Sequence, residues 1–152
     1  MRLSLIAVGR AKRGPEQDLF NLYAKRLQPP LDLIEVEEKR PLSGDELKAR
    51  EAELIAAKIP DGAHLVALDE RGKAFSSRDF ANLTGRYRDE GVRDMTFLIG
   101  GADGLDKSLR KRADTVMSFG IQTWPHMLVR GMLAEQLYRA QTILAGHPYH
   151  RD

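Results

Sequence analysis

Phe97-Leu98-Ile99-Gly100-Gly101-Ala102-Asp103-Gly104-Leu105 runs from an apolar stretch straight into three glycines within five residues. The full run, Met95–Ile99, is continuous rather than alternating, the pattern of a strand covered on both faces. Glycine permits positive φ and lets the backbone approach a ligand or another segment closely. The stretch therefore reads as strand, tight loop and helix start, and the same residues would also serve a purely structural turn.

Four similar runs lie to either side: Leu3–Val8, Leu31–Val36, His64–Leu68 and Thr115–Phe119. Helical patterns separate them. Pro15 suits a first helical turn, followed by Leu19, Phe20, Tyr23 and Leu27 on one face. Ser43 with Glu46 forms a capping-box pattern for a helix that Pro60 stops, and Ser76 with Asp79 opens another carrying Phe80, Leu83 and Tyr87. A short helix follows Leu105, and a long one runs from about Pro125 to Ala145, ended by Gly146. Alternating strands and helices predict an α/β fold, a parallel sheet with helices on both faces. With 152 residues and no linker, repeat or low-complexity stretch, residues 1–152 form one domain.

Composition removes several functions. The chain has no cysteine, which excludes disulfides, cysteine-based zinc sites and thiol nucleophiles. No apolar run reaches 18 residues, and the N-terminal run is too short for a signal peptide, so the expectation is a cytoplasmic protein with no membrane partner. Net charge is only +2, but residues 1–30 hold six Lys/Arg against two Asp/Glu, while residues 31–61 hold five against nine. Lys107, Arg110, Lys111 and Arg112 form a second basic cluster. Such patches suit a polyanion and equally a solvated face.

Ligands of parallel sheets bind beyond the carboxyl ends of the strands. After the first strand, Gly9-Arg10-Ala11-Lys12-Arg13-Gly14 lacks both the dinucleotide glycine fingerprint and the phosphate-loop pattern. The glycine-rich material lies later, after Leu68-Asp69, in Gly100–Gly104, and in Phe119-Gly120-Ile121-Gln122-Thr123-Trp124-Pro125-His126. The last of these sets backbone donors and acceptors beside apolar side chains, which suits an adenine ring.

Taken in order, Leu5-Ile6-Ala7-Val8-Gly9, Leu68-Asp69, Phe97–Gly101 with Gly104-Leu105, Pro125-His126, Glu135-Gln136-Leu137-Tyr138-Arg139-Ala140 and His147-Pro148-Tyr149-His150-Arg151 resemble the SPOUT methyltransferases. More narrowly, they resemble the ribosomal RNA large subunit methyltransferase H (RlmH) family, over essentially the whole chain. The resemblance implies a C-terminal trefoil knot and a cofactor, S-adenosyl-L-methionine (SAM), held by Leu68, Gly100, Phe119, Gly120, Ile121, Gln122, Thr123 and Trp124. It implies methylation of N3 of a pseudouridine in the helix 69 stem-loop of 23S ribosomal RNA in the assembled ribosome. It also implies a homodimer in which one subunit's tail helps complete the partner's site, and no metal.

The same resemblance gives Arg139, Tyr149, His150 and Arg151 to the substrate, with Arg139 and His150 as catalytic candidates. Read alone, Leu68, Phe119 and Ile121 are ordinary core residues, and Arg139 sits four residues after Glu135 as a helix ion pair would. Trp124 and His126 fit either a cofactor wall or a structural role. His150 or His126 would accept the N3 proton, or Arg139 would stabilise the developing anion. The tail carries no aliphatic anchor, so the sequence predicts an end free to serve RNA. The apolar residues of the last helix, among them Met127, Leu128, Val129, Met132 and Leu144, suit a subunit interface or simple burial. Two other functions fit the same composition: a non-catalytic ribosome-binding factor, and a nucleotide-binding oxidoreductase that would need the missing glycine fingerprint.

Overall fold

The computed structural model describes all of residues 1–152. Strands β1 (Arg2–Val8), β2 (Leu31–Val36), β3 (His64–Ala74), β4 (Asp94–Ile99) and β5 (Thr115–Ser118) alternate with helices α1 (Pro15–Ala24), α2 (Gly44–Ala56), α3 (Ser77–Asp89) and α4 (Lys107–Arg112). Helix α5 (His126–Leu144) closes the chain. The five strands form one parallel sheet in the order β2-β1-β4-β3-β5.

The pleat sends alternate side chains to opposite faces. Leu3, Leu5 and Ala7 of β1, with Phe97 and Ile99 of β4, pack against Phe20 of α1, Phe80 of α3, and Leu133 and Leu137 of α5. Ile6, Val8 and Leu98 point the other way, against Ala52 and Ile55 of α2 and Leu109 of α4. Helices thus cover both faces. Helix α5 lies between α1 and α3, where each fully buried leucine contributes about 1.5–3 kcal/mol.

Helix ends follow local chemistry, with one exception. Pro15 occupies the first turn of α1, and the Ser76 hydroxyl accepts from the Asp79 N–H at 3.0 Å. At the end of α5, Gly146 (φ +70) lets its own N–H reach the Ile143 carbonyl while the His147 N–H reaches Thr142, a Schellman arrangement. The exception is the capping box at Ser43: its side chain caps nothing, because Gly44 at φ +58 turns the first residues of α2 out of capping geometry.

Strand β3 continues past its apolar end. Asp69–Gly72 leave the ladder after Leu68, and Lys73 and Ala74 rejoin β5 opposite Met117 and Ser118. Gly72 makes this return possible, since a Cβ there would lie 2.6–2.7 Å from main-chain atoms of Val116 and Met117. The strand therefore carries a polar excursion on its edge, directly above the sheet's carboxyl end.

Candidate active site

Three loops meet at that end: Asp69–Gly72 after β3, Gly100–Asp106 after β4 and Phe119–Pro125 after β5. Together with His126 and Val129 of α5 they enclose a cleft of about 240 Å³. Leu68, Gly100, Phe119, Gly120, Gln122, Thr123 and Trp124 all line it. Ile121 is the exception: it is absent from the wall and 96% exposed.

Each loop is held by its own hydrogen bonds. In the β4 loop the chain doubles back, with the Gly104 N–H bonded to the Gly101 carbonyl at 3.0 Å. A Cβ on Gly100 would fall 2.5–2.7 Å from the main chain of Gly104 and Leu105, so glycine is required there by the loop itself. In the β5 loop the Trp124 indole donates to the Phe119 carbonyl at 3.2 Å, and the Gly120 N–H donates to Ser118 Oγ at 3.0 Å. The Thr123 hydroxyl donates to Glu70 at 3.3 Å, tying the β5 loop to the β3 excursion.

The lining mixes an apolar wall, Leu68, Ile99, Met117, Phe119 and Val129, with the carboxylates of Glu70 and Asp103; Asp69 lies beneath, its side chain 5% exposed and paired with Arg71 and Arg110. Beneath the β4 loop lies buried Glu51, with Oε2 3.1 Å from where a Gly101 Cβ would stand. Burial, and then the charge of Asp103, push its carboxyl above the ordinary range. Burial, and then neighbouring Arg130, push the His126 imidazole below its ordinary value, so His126 on the cleft wall is neutral at pH 7 and can accept a proton. No three His, Asp or Glu side chains converge as metal ligands.

Arg139, Tyr149, His150 and Arg151 do not line this cleft. Arg139 lies ten residues beyond Val129 on α5, about 15 Å along the axis at 1.5 Å per residue. The tail is docked rather than free. The Tyr149 ring packs edge-on against Tyr138 at 4.8 Å, its hydroxyl donates to Glu135 at 3.0 Å, and the Arg139 guanidinium stands 4.8 Å over its face. Arg139 also forms the ion pair with Glu135 and donates to His150 Nδ1 at 3.1 Å. His150 Nε2 then serves as donor to Asp152 at 3.0 Å, a tautomer assigned from its partners. Arg151 is exposed.

One buried group escaped the sequence reading. Arg130 on α5 is 2% exposed and pairs with Glu35 of β2 while donating to the carbonyls of Val8 and Gly9 at 3.2 and 3.1 Å. It binds the start of α5 to the ends of β1 and β2. The available signal was a single charge inside the apolar run Met127–Ala134. Burial works to raise the Glu35 carboxyl, but the hydrogen bonds from Arg130 and the Ala11 N–H, with the charges of Arg130 and Arg10, bring it below its ordinary value.

The family described as "Predicted SPOUT methyltransferase" matches residues 1–150. The chain belongs to the SPOUT methyltransferases. Within them it falls in the ribosomal RNA large subunit methyltransferase H family. A protein of that name from Paramagnetospirillum magneticum is 62% identical over 99% of both chains. Those from Rhodospirillum centenum and Rhodospirillum rubrum are 60% and 54% identical, over 99% and 100% of both chains. The H family's shared length leaves no segment of this chain outside the match by more than a residue or two.

Proposed function

We propose that the chain is a SAM-dependent methyltransferase of 23S ribosomal RNA. In this reading it methylates N3 of a pseudouridine in the helix 69 stem-loop of the assembled ribosome, in the cytoplasm and as a homodimer. The observation that carries the cofactor assignment is the cleft at the ends of β3, β4 and β5. Its carboxylates complement a sulfonium and an ammonium group, and its apolar wall beside the main chain of Phe119–Trp124 suits adenine. The H-family relatives carry the choice of RNA. The trefoil knot belongs to the same reading. It is supported by the match to the SPOUT family over residues 1–150.

When bound, the cofactor supplies an activated methyl whose leaving group is a neutral thioether. The residues of the chain orient the two reactants and move one proton. Leu68, Phe119 and Val129 would exclude water from one side of the cleft, and Glu70 and Asp103 would face the cofactor's cationic groups. For N3 to take the methyl, its own proton must leave. Neutral His126 stands on the wall where such a proton can be taken. Because Arg139 lies about 15 Å along α5 from the cleft, its part in the reaction requires a second copy. Arg139 of the partner subunit would stabilise the imide anion, with His150 of the partner subunit beside it.

Mass spectrometry of rRNA from ribosomes lacking the modification, after incubation with isotope-labelled SAM, tests the assignment. One labelled methyl on the helix 69 pseudouridine is expected. Sedimentation should report about twice the 17.1 kDa chain mass. Unlabelled rRNA, or label on another nucleotide, would overturn the substrate. A fully active monomer would overturn the shared site.

A further inference from the structure

We propose that a second pocket, formed by Arg10, Lys12, Arg13 and buried Arg130, holds a backbone phosphate of the RNA strand that carries the target base. The inference rests on the RNA-methylating reading above and adds a site to it. The pocket, about 290 Å³, lies between the β1–α1 loop and the first turns of α1 and α5.

Charge is the first argument. Arginines elsewhere in the chain are mostly paired with carboxylates, as Arg2 is with Asp94, Arg50 with Glu38 and Arg139 with Glu135. Arg10, Lys12 and Arg13 are exposed and enter no such pair. Only one carboxylate, Glu16, shares the lining with them, and Glu35 behind the pocket is already committed to Arg130 and the Ala11 N–H. Three cations are thus held together in one short loop with only Glu16 on the lining and the field of Glu35 behind it, an excess of positive charge that a polyanion relieves.

Order is the second. The loop is not a loose basic arm: the Ala11 N–H donates to Glu35 at 2.7 Å, and the Gly9 N–H donates to the Val36 carbonyl at 2.8 Å. Behind it, Nε of Arg130 is the one buried side-chain nitrogen or oxygen in the chain without a hydrogen-bond partner. That guanidinium is 2% exposed and paired with Glu35, so it fixes the back of the pocket and the carbonyls of Val8 and Gly9, while the free cations are those of the loop.

Place is the third. A Cβ built on Gly9 would lie 3.8 Å from His126 Nε2 and 4.0 Å from Arg130 Nη2. His126 lines the cofactor cleft and Arg130 lines the basic pocket, so the two sites meet across Gly9. A phosphate on Arg10, Lys12 and Arg13 would therefore lie next to the wall that carries His126. The cations stand on the loop, while Phe20, Leu33 and Met127 complete the pocket lining.

The test uses the full chain and the combined variant Arg10→Gln, Lys12→Gln, Arg13→Gln, which removes exposed, unpaired charges and should melt like wild type. The probes are a fluorescein-labelled hairpin of large-subunit rRNA, titrated at several salt concentrations, and inorganic phosphate. Hairpin affinity should fall at least about tenfold, and the log–log salt slope should flatten by about 0.7, the contribution of one phosphate contact on a single strand. SAM affinity should hold, and in methyl transfer KM should rise far more than kcat falls. An unchanged salt slope and hairpin affinity would overturn the site. Loss of inorganic-phosphate binding with RNA binding intact would reassign it to a free anion, and conversion of a dimer to a monomer would reassign it to the subunit contact. If wild type methylates no rRNA while the variant still loses hairpin affinity, the activity assignment fails and the phosphate site stands.

Discussion

Replacing Arg130 with methionine keeps the buried stem and removes the guanidinium, and the cost can be worked from its partners. The Val8 carbonyl, in a buried residue, loses its guanidinium donor. An acceptor left unsatisfied there costs about 1–3 kcal/mol. The Gly9 carbonyl is half-buried and regains water, so it contributes little. Glu35 loses a charged partner but keeps the Ala11 N–H, and its side chain is 29% exposed, so its share is about 1 kcal/mol. Removing the orphaned Nε returns up to about 1 kcal/mol. The net is a loss of about 2–3 kcal/mol, which lowers Tm by roughly 5–10 °C in a chain of this length. Equilibrium urea unfolding reads it directly, with an unchanged m-value showing that the native and denatured ensembles keep their compactness. A variant within about 0.5 kcal/mol of wild type would refute the claim that Arg130 clamps α5 to β1 and β2, since ordinary surface substitutions already span that range.

Gly72→Ala places a Cβ 2.6–2.7 Å from the main chain of β5. It should cost about 1–3 kcal/mol in urea unfolding and weaken SAM binding by calorimetry, whereas a neutral result would show that the β3 excursion yields freely. Deleting Tyr149–Asp152 removes the Tyr149–Tyr138 contact and the Arg139 cation over the ring, together about 1–2 kcal/mol. Tm should fall by a few degrees, SAM affinity should hold because none of these residues lines the cleft, and methyl transfer should collapse; full transfer would misplace the substrate site. Acid should weaken the fold in two steps. His64 and His126 have lowered values, so their contribution is present above pH 6.5 and drains below it as the unfolded chain takes up protons first. Glu35 is also lowered, so its contribution is present above pH 4.5 and is lost as pH falls through the folded value. Glu35→Gln should flatten only the lower step in pH-dependent urea unfolding, and an unaltered acid limb would refute that share.

Local pattern and tertiary context divide the features of this chain cleanly. Continuous apolar runs such as Met95–Ile99 mark buried parallel strands because nothing but a two-sided cover explains them. The glycines near Leu105 and the Phe119–Trp124 segment mark the cleft because loops at strand ends carry ligands. The last turns of β3 were illegible, since Asp69-Glu70-Arg71-Gly72 reads as polar loop and Lys73 and Ala74 are strand only because β5 lies beside them. The docked tail was hidden for a similar reason: its anchor is aromatic and ionic, assembled from Tyr23, Glu135 and Tyr138, and no aliphatic pattern announces it. The requirement for Gly100 is visible as glycine, but only the return of the chain at Gly104 shows that its own backbone is what needs the space.

The pairing of β1 with β4 has a bearing on how the chain is made. Its central ladder joins Arg2 to Asp94 and continues to Ala7 opposite Ile99. During synthesis, the first strand can pair with β2 early but waits for some ninety further residues before its other edge is covered. Contacts so distant in sequence form slowly, because a long loop must close before any of them is gained. Until then Leu5, Ile6 and Ala7, fully buried in the finished protein, stand on an open strand edge in the emerging chain. The cleft comes later still, since its wall includes Val129 of the last helix. A chain stalled before α5 has the face covered by α2 and α4 but leaves Leu5, Phe97 and Ile99 without their α5 cover, and its cleft lacks the wall made by His126 and Val129.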